Sequence, residues 1–67
     1  MRKLELQRRA LGLSQRSLGR KCSPAVSATY ICNAERHGFI YPAHLERIAD
    51  AIGWRGDPSE LMEEVEL

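Results

Sequence analysis

The chain has 67 residues, of which 43% are hydrophobic and only 6% aromatic, and its formal net charge is +1. That length suits one domain, near the lower limit at which a single core suffices without staples, and a core of Leu, Ile, Val and Ala with almost no strand signals suits an all-α bundle of short helices. No apolar run approaches the roughly 18 residues of a membrane span, and no signal-peptide hydrophobic region follows the basic N-terminus, so no membrane partner is expected and the expected compartment is the cytoplasm.

The spacing predicts a first helix over about residues 2–11, with Leu4, Arg8 and Leu11 on one side, Leu6 and Ala10 on a neighbouring stripe, and Glu5 and Arg9 paired at i,i+4 on the outer face. Gly12 ends it. Ser14 is the expected N-cap of a second helix running to about Lys21, and Ser27 of a third running to about Arg36. Two short helices joined by a turn, about residues 14–36, therefore form a helix-turn-helix. A loop from His37 to Tyr41 leads to a fourth helix, with Pro42 in its first turn, Leu45, Ile48, Ala49 and Ile52 at helical spacing, and Gly53 as its stop. Asp57-Pro58-Ser59-Glu60 supplies an N-cap, a proline at the first helical position and an acid at the third, which signals a short fifth helix running out at Glu63-Glu64-Val65-Glu66-Leu67.

The small net charge hides a division along the chain. Residues 1–37 hold eight Lys and Arg against Glu5 and Glu35, while residues 38–67 hold Arg47 and Arg55 against seven carboxylates. A basic half that carries the helix-turn-helix has the electrostatic footprint of a phosphate-binding face. On the third helix Val26, Ile31 and Ala34 share the inward side, which leaves Ser27, Ala28, Thr29, Cys32 and Asn33 facing outward. Cys22 and Cys32 are expected as free thiols, and their spacing with His37 and His44 matches no zinc pattern, so neither metal nor cofactor is expected. No acid/base pair or phosphate loop points to catalysis.

Gly-Leu-Ser-Gln at 12–15, Leu-Gly at 18–19, Val-Ser-x-x-Tyr-Ile at 26–31 and Glu-Arg at 35–36 occur together and in order. This pattern resembles the Xre/Cro-type helix-turn-helix repressors of bacteria and their phages over residues 4–53. The resemblance implies a lambda-repressor-like DNA-binding domain whose third helix lies in the major groove. The outward set Ser27, Ala28, Thr29, Cys32 and Asn33 then become the base readers: Asn33 suits a bidentate contact to adenine, Thr29 a hydrogen bond or a thymine methyl, and Ala28 an apolar contact only. Ser14 and Gln15, at a helix N-terminus where free N–H groups favour an anion, become phosphate contacts, although Ser14 serves as a plain N-cap in either case. Tyr30, Arg36 and His37 lie where similar repressors touch phosphates, with a half-buried packing role the alternative for Tyr30. Arg8 and Glu35 match a pair that joins the first helix to the end of the recognition helix. Gly19 stands where the family has a small residue, usually Ala, and the turn Cys22-Ser23-Pro24-Ala25 is about two residues longer than the usual glycine turn.

Trp54, Ile52, Leu61, Met62, Val65 and Leu67 form a C-terminal apolar set larger than so small a domain needs. In similar repressors this end makes the two-fold contact, which implies a homodimer on a palindromic operator of double-stranded DNA with Trp54, Leu61, Met62 and Val65 at its interface. The alternative is that Trp54 and Leu61 close the core. A second functional reading takes the same apolar end as the seat of a partner protein, as in an antitoxin that autoregulates through its helix-turn-helix.

Overall fold

The side chains of Ser14 and Ser27 accept backbone N–H groups from Ser17 and Tyr30, and each fixes where a helix starts. A computed structural model describes residues 1–66 and contains α1 (Lys3–Ala10), α2 (Gln15–Lys21), α3 (Ala28–His37) and α4 (Pro42–Ile52), followed by a 3-10 turn at Pro58–Met62. Among the described residues there is no strand, only an isolated antiparallel bridge between Arg2 and Glu64. Among the described residues no helix is long and apolar enough to cross a membrane. Leu67 of the C-terminal apolar set lies outside the described residues.

Each helical element contributes one fully buried aliphatic side chain: Leu4, Leu18, Ile31, Ile48 and Leu61. Burying such a side chain is worth about 1.5–3 kcal/mol, so with helices this short the shared core, not helix propensity, holds the elements together. Val26, Leu45, Ala49 and Cys22 fill the space around them, and burial pushes the Cys22 thiol above its ordinary pKa. The radius of gyration, 10.4 Å, is close to the roughly 11 Å expected of a packed chain this long.

The turn between α2 and α3 folds back over α2. The Gly19 carbonyl accepts the N–H groups of both Cys22, at 3.3 Å, and Val26, at 3.0 Å. A Cβ on Gly19 would collide with the Val26 carbonyl oxygen, so the longer turn returns across α2 at a height only glycine permits.

Three sequence expectations are corrected. The fifth helix is a single 3-10 turn. Its start follows the capping motif, since the Asp57 carboxylate accepts the Ser59 N–H at 3.0 Å and Glu60 accepts the Asp57 N–H at 2.8 Å. It ends at Met62 because the next residues pair with the N-terminus: Lys3 donates to the Glu63 carbonyl at 2.9 Å and Val65 to that of Met1 at 2.7 Å. Leu11, assigned to the inner face of the first helix, sits past the end of α1 and is 52% exposed. Leu61, assigned to a dimer interface, has no exposed surface.

Candidate nucleic-acid interface

The periodicity of α3 sets which side chains it offers. Ile31, Ala34 and Glu35 are buried, while Ser27, Thr29, Asn33, Arg36 and His37 are exposed and Ala28 and Cys32 half-buried. Of the five residues assigned to base reading, Thr29 and Asn33 are exposed along α3, Ser27 is its exposed N-cap, and Ala28 and Cys32 are half-buried.

That helix is fixed from below by a polar network. Glu35 accepts Arg8 Nε at 2.8 Å, Arg8 Nη2 at 3.1 Å and Gln15 Nε2 at 3.0 Å, and Arg8 Nη1 donates to the Leu13 carbonyl at 2.9 Å. Arg8 and Glu35 are each only 8% exposed, and the hydrogen bond to Glu35 holds the guanidinium pKa above its ordinary value. One ion pair therefore ties α1, the following loop, α2 and α3 together. Such a pair adds little over an apolar substitute, but losing one partner strands a buried charge. The resemblance supplied the pairing of Arg8 with Glu35. It implied a phosphate contact for Gln15, whereas the Gln15 amide turns inward and donates to Glu35, with one further N–H on the same nitrogen.

Ion pairing redistributes the basic half. Arg2 pairs with Glu64, Lys3 with Glu63, Arg8 with Glu35 and Arg9 with Glu5. Among the described residues, Arg16, Arg20 and Lys21 on α2 and Arg36 on α3 make no ion pair, and all four are exposed. The first three were counted in the sequence only as part of a basic half. Their individual standing became visible once the other cations had found partners. Ser14, beside Arg16, is exposed and hydrogen-bonds both the N–H and the hydroxyl of Ser17 at 2.9 Å.

Between α3 and the loop that follows it the aromatic residues gather. Tyr30 is half-buried, its ring 4.6 Å from that of His44, and its hydroxyl accepts the Tyr41 N–H at 2.9 Å. It braces the loop between α3 and α4, in keeping with the packing alternative. Phe39 and Tyr41 on that loop are 65% and 57% exposed with rings 5.2 Å apart, edge to face. Phe39, His37, Asn33 and Tyr30 line a pocket of about 300 Å³. Composition could not locate this cluster, because it depends on how the loop folds back.

The C-terminal apolar set is largely committed within the chain. Leu61 is core, Trp54 is half-buried with its indole N–H on the Asp57 carbonyl at 3.1 Å, and Met62 packs against the core. Val65 is half-buried and held against Met1. No protein-family model, curated protein or solved structure matches this chain.

Proposed function

We propose that the chain is a sequence-specific, double-stranded DNA-binding regulator, a repressor of phage or mobile-element type built on a lambda-repressor-like helix-turn-helix of α2 and α3. The observation that carries this reading is the exposed polar side of α3, backed by the Arg8–Glu35 pair, together with Arg16, Arg20 and Lys21 on α2 and Arg36 on α3, which are exposed and outside the ion pairs of the described residues. Thr29 and Asn33, one turn apart, address neighbouring bases, with Ser27, Ala28 and Cys32 beside them. Ser14, Arg36, His37 and the free N–H of Gln15 contact phosphates, joined by Arg16. Tyr30 serves the interface by positioning the loop.

The protein acts without catalysis, in the cytoplasm, as a homodimer on a palindromic operator. One recognition helix per subunit then enters successive major grooves on one face of the duplex. Trp54, Met62 and Val65 keep only partial exposure for a two-fold contact and Leu61 none, so the dimer is weak and assisted by DNA. The antitoxin reading draws on the same partly exposed apolar end, so a partner protein there is the alternative to the two-fold contact. Selection of sites from random duplex DNA tests the proposal. Two-fold symmetric sites about one helical turn apart are expected, with affinity falling by roughly 0.9 log units per tenfold rise in salt for each phosphate contacted. No enrichment, or a flat salt response, overturns it.

A further inference from the structure

The pocket between α3 and the loop that follows it has an unusual lining. Tyr30, Asn33 and His37 follow one another at helical spacing along the surface of α3, and Phe39 stands beside them from the loop. Phe39 is two-thirds exposed, yet its surroundings are fixed. The Tyr41 ring meets it edge to face, Tyr41 is tied through its N–H to the Tyr30 hydroxyl, and the Arg2 guanidinium packs behind Gly38. Arg2 is itself held by the Met62 carbonyl at 2.7 Å. A large apolar ring is thus presented to solvent on a braced loop, which lowers the entropic cost of using it in binding.

No carboxylate lines this pocket, so an acidic surface can approach. Beside the ring stands an amide, Asn33, with the donor and acceptor that match adenine in the major groove. Among the four bases only thymine carries a methyl there, and a phenyl ring is an apolar partner for it. Resting on the DNA-binding reading above, we infer that Phe39 is a specificity residue. Its ring receives the 5-methyl group of one thymine per half-site, in or next to the base pair whose adenine Asn33 reads.

The test changes one methyl at a time. Duplexes carrying the selected site, with each thymine replaced in turn by deoxyuridine, are titrated by fluorescence anisotropy against the wild-type chain and Phe39→Ala. The substitution lies in an exposed loop, and circular dichroism checks the fold. At one position per half-site, deoxyuridine is expected to weaken wild-type binding by about fourfold, the worth of one buried methyl. Phe39→Ala should bind the unmodified site about as weakly and be indifferent to deoxyuridine at that position. The inference is overturned if no thymine is methyl-sensitive, if Phe39→Ala keeps the full sensitivity, or if it weakens all sequences alike, which marks packing on sugar. Tighter binding to single-stranded uracil-containing RNA than to the duplex also overturns it. A wild-type chain that binds no duplex at any salt concentration defeats the DNA-binding reading itself and this inference with it.

Discussion

Residues 26–37 and residues 57–66 each start from a side-chain N-cap, Ser27 in one and Asp57 in the other, and then continue differently. In the first segment the cap leads into ten residues of α-helix, with Val26, Ile31 and Ala34 buried and Thr29 and Asn33 exposed. In the second the cap is right, but the helix stops after one turn and its apolar residues turn to the core and to the N-terminus. The difference is one of competition. Helical periodicity decides a structure where the chain meets only a core beneath it, and yields where a distant backbone offers hydrogen bonds in register.

The sharpest way to break this comparison is to remove what anchors each segment. Arg8→Ala leaves Glu35 buried without its partner and is expected to cost about 3–5 kcal/mol. Leu61→Ala is expected to cost about 2–5 kcal/mol as a core truncation. Chemical denaturation measures both. A dimer-interface Leu61 would instead give a small loss and a midpoint that follows protein concentration.

Gly19→Ala comes next. In an open helix the change gains about 1 kcal/mol. Here overpacking against the Val26 carbonyl is expected to destabilise the protein by about 1–3 kcal/mol. A gain in denaturation midpoint would show that the turn does not lie on α2 as described.

On the DNA side, Asn33→Ala should lose about 1–3 kcal/mol of discrimination at one position in each half-site while leaving nonspecific affinity unchanged. Arg36→Ala should weaken binding to every sequence alike, since phosphate contacts carry no base identity. Titration against a panel of single-base variants separates the two roles, and a changed site preference in Arg36→Ala would reverse them.

The smallest effects belong to the C-terminal segment's surface. Lys3→Ala removes an exposed pair with Glu63 and should cost below about 1 kcal/mol, leaving the backbone bond from Lys3 to Glu63 intact. The Asp57 carboxyl sits below its ordinary pKa because the Ser59 N–H and hydroxyl donate to it. Its contribution is therefore present above the ordinary carboxylate pKa and is lost as pH falls through the lower folded value. Asp57→Asn should flatten that part of the acid limb of stability against pH, and an unchanged limb would deny the cap an energetic role.

Much of the fold was legible because Ser14, Ser27, Pro42, Gly53 and Asp57 mark boundaries by local chemistry. Leu11 and Leu61 were misplaced for opposite reasons. Leu11 continues the stripe of α1 in sequence, but the helix ends before it. Leu61 belongs to a short apolar run whose burial depends on where the 3-10 turn docks. At the site, the face of α3 could be read from spacing and the Arg8–Glu35 pair only from resemblance. The inward turn of Gln15 and the Phe39 pocket depend on side chains from separate elements meeting, which no local pattern encodes.

Gly19 and the turn after it act as a single unit. A side chain at position 19 is barred while Val26 lies across α2, and the bar lifts only if the turn is shortened or rerouted. The two changes are therefore strongly epistatic. A chain that carries this turn cannot take alanine at position 19 one substitution at a time without first passing through a less stable form, so the order of mutations, as much as their sum, decides which variants are reachable.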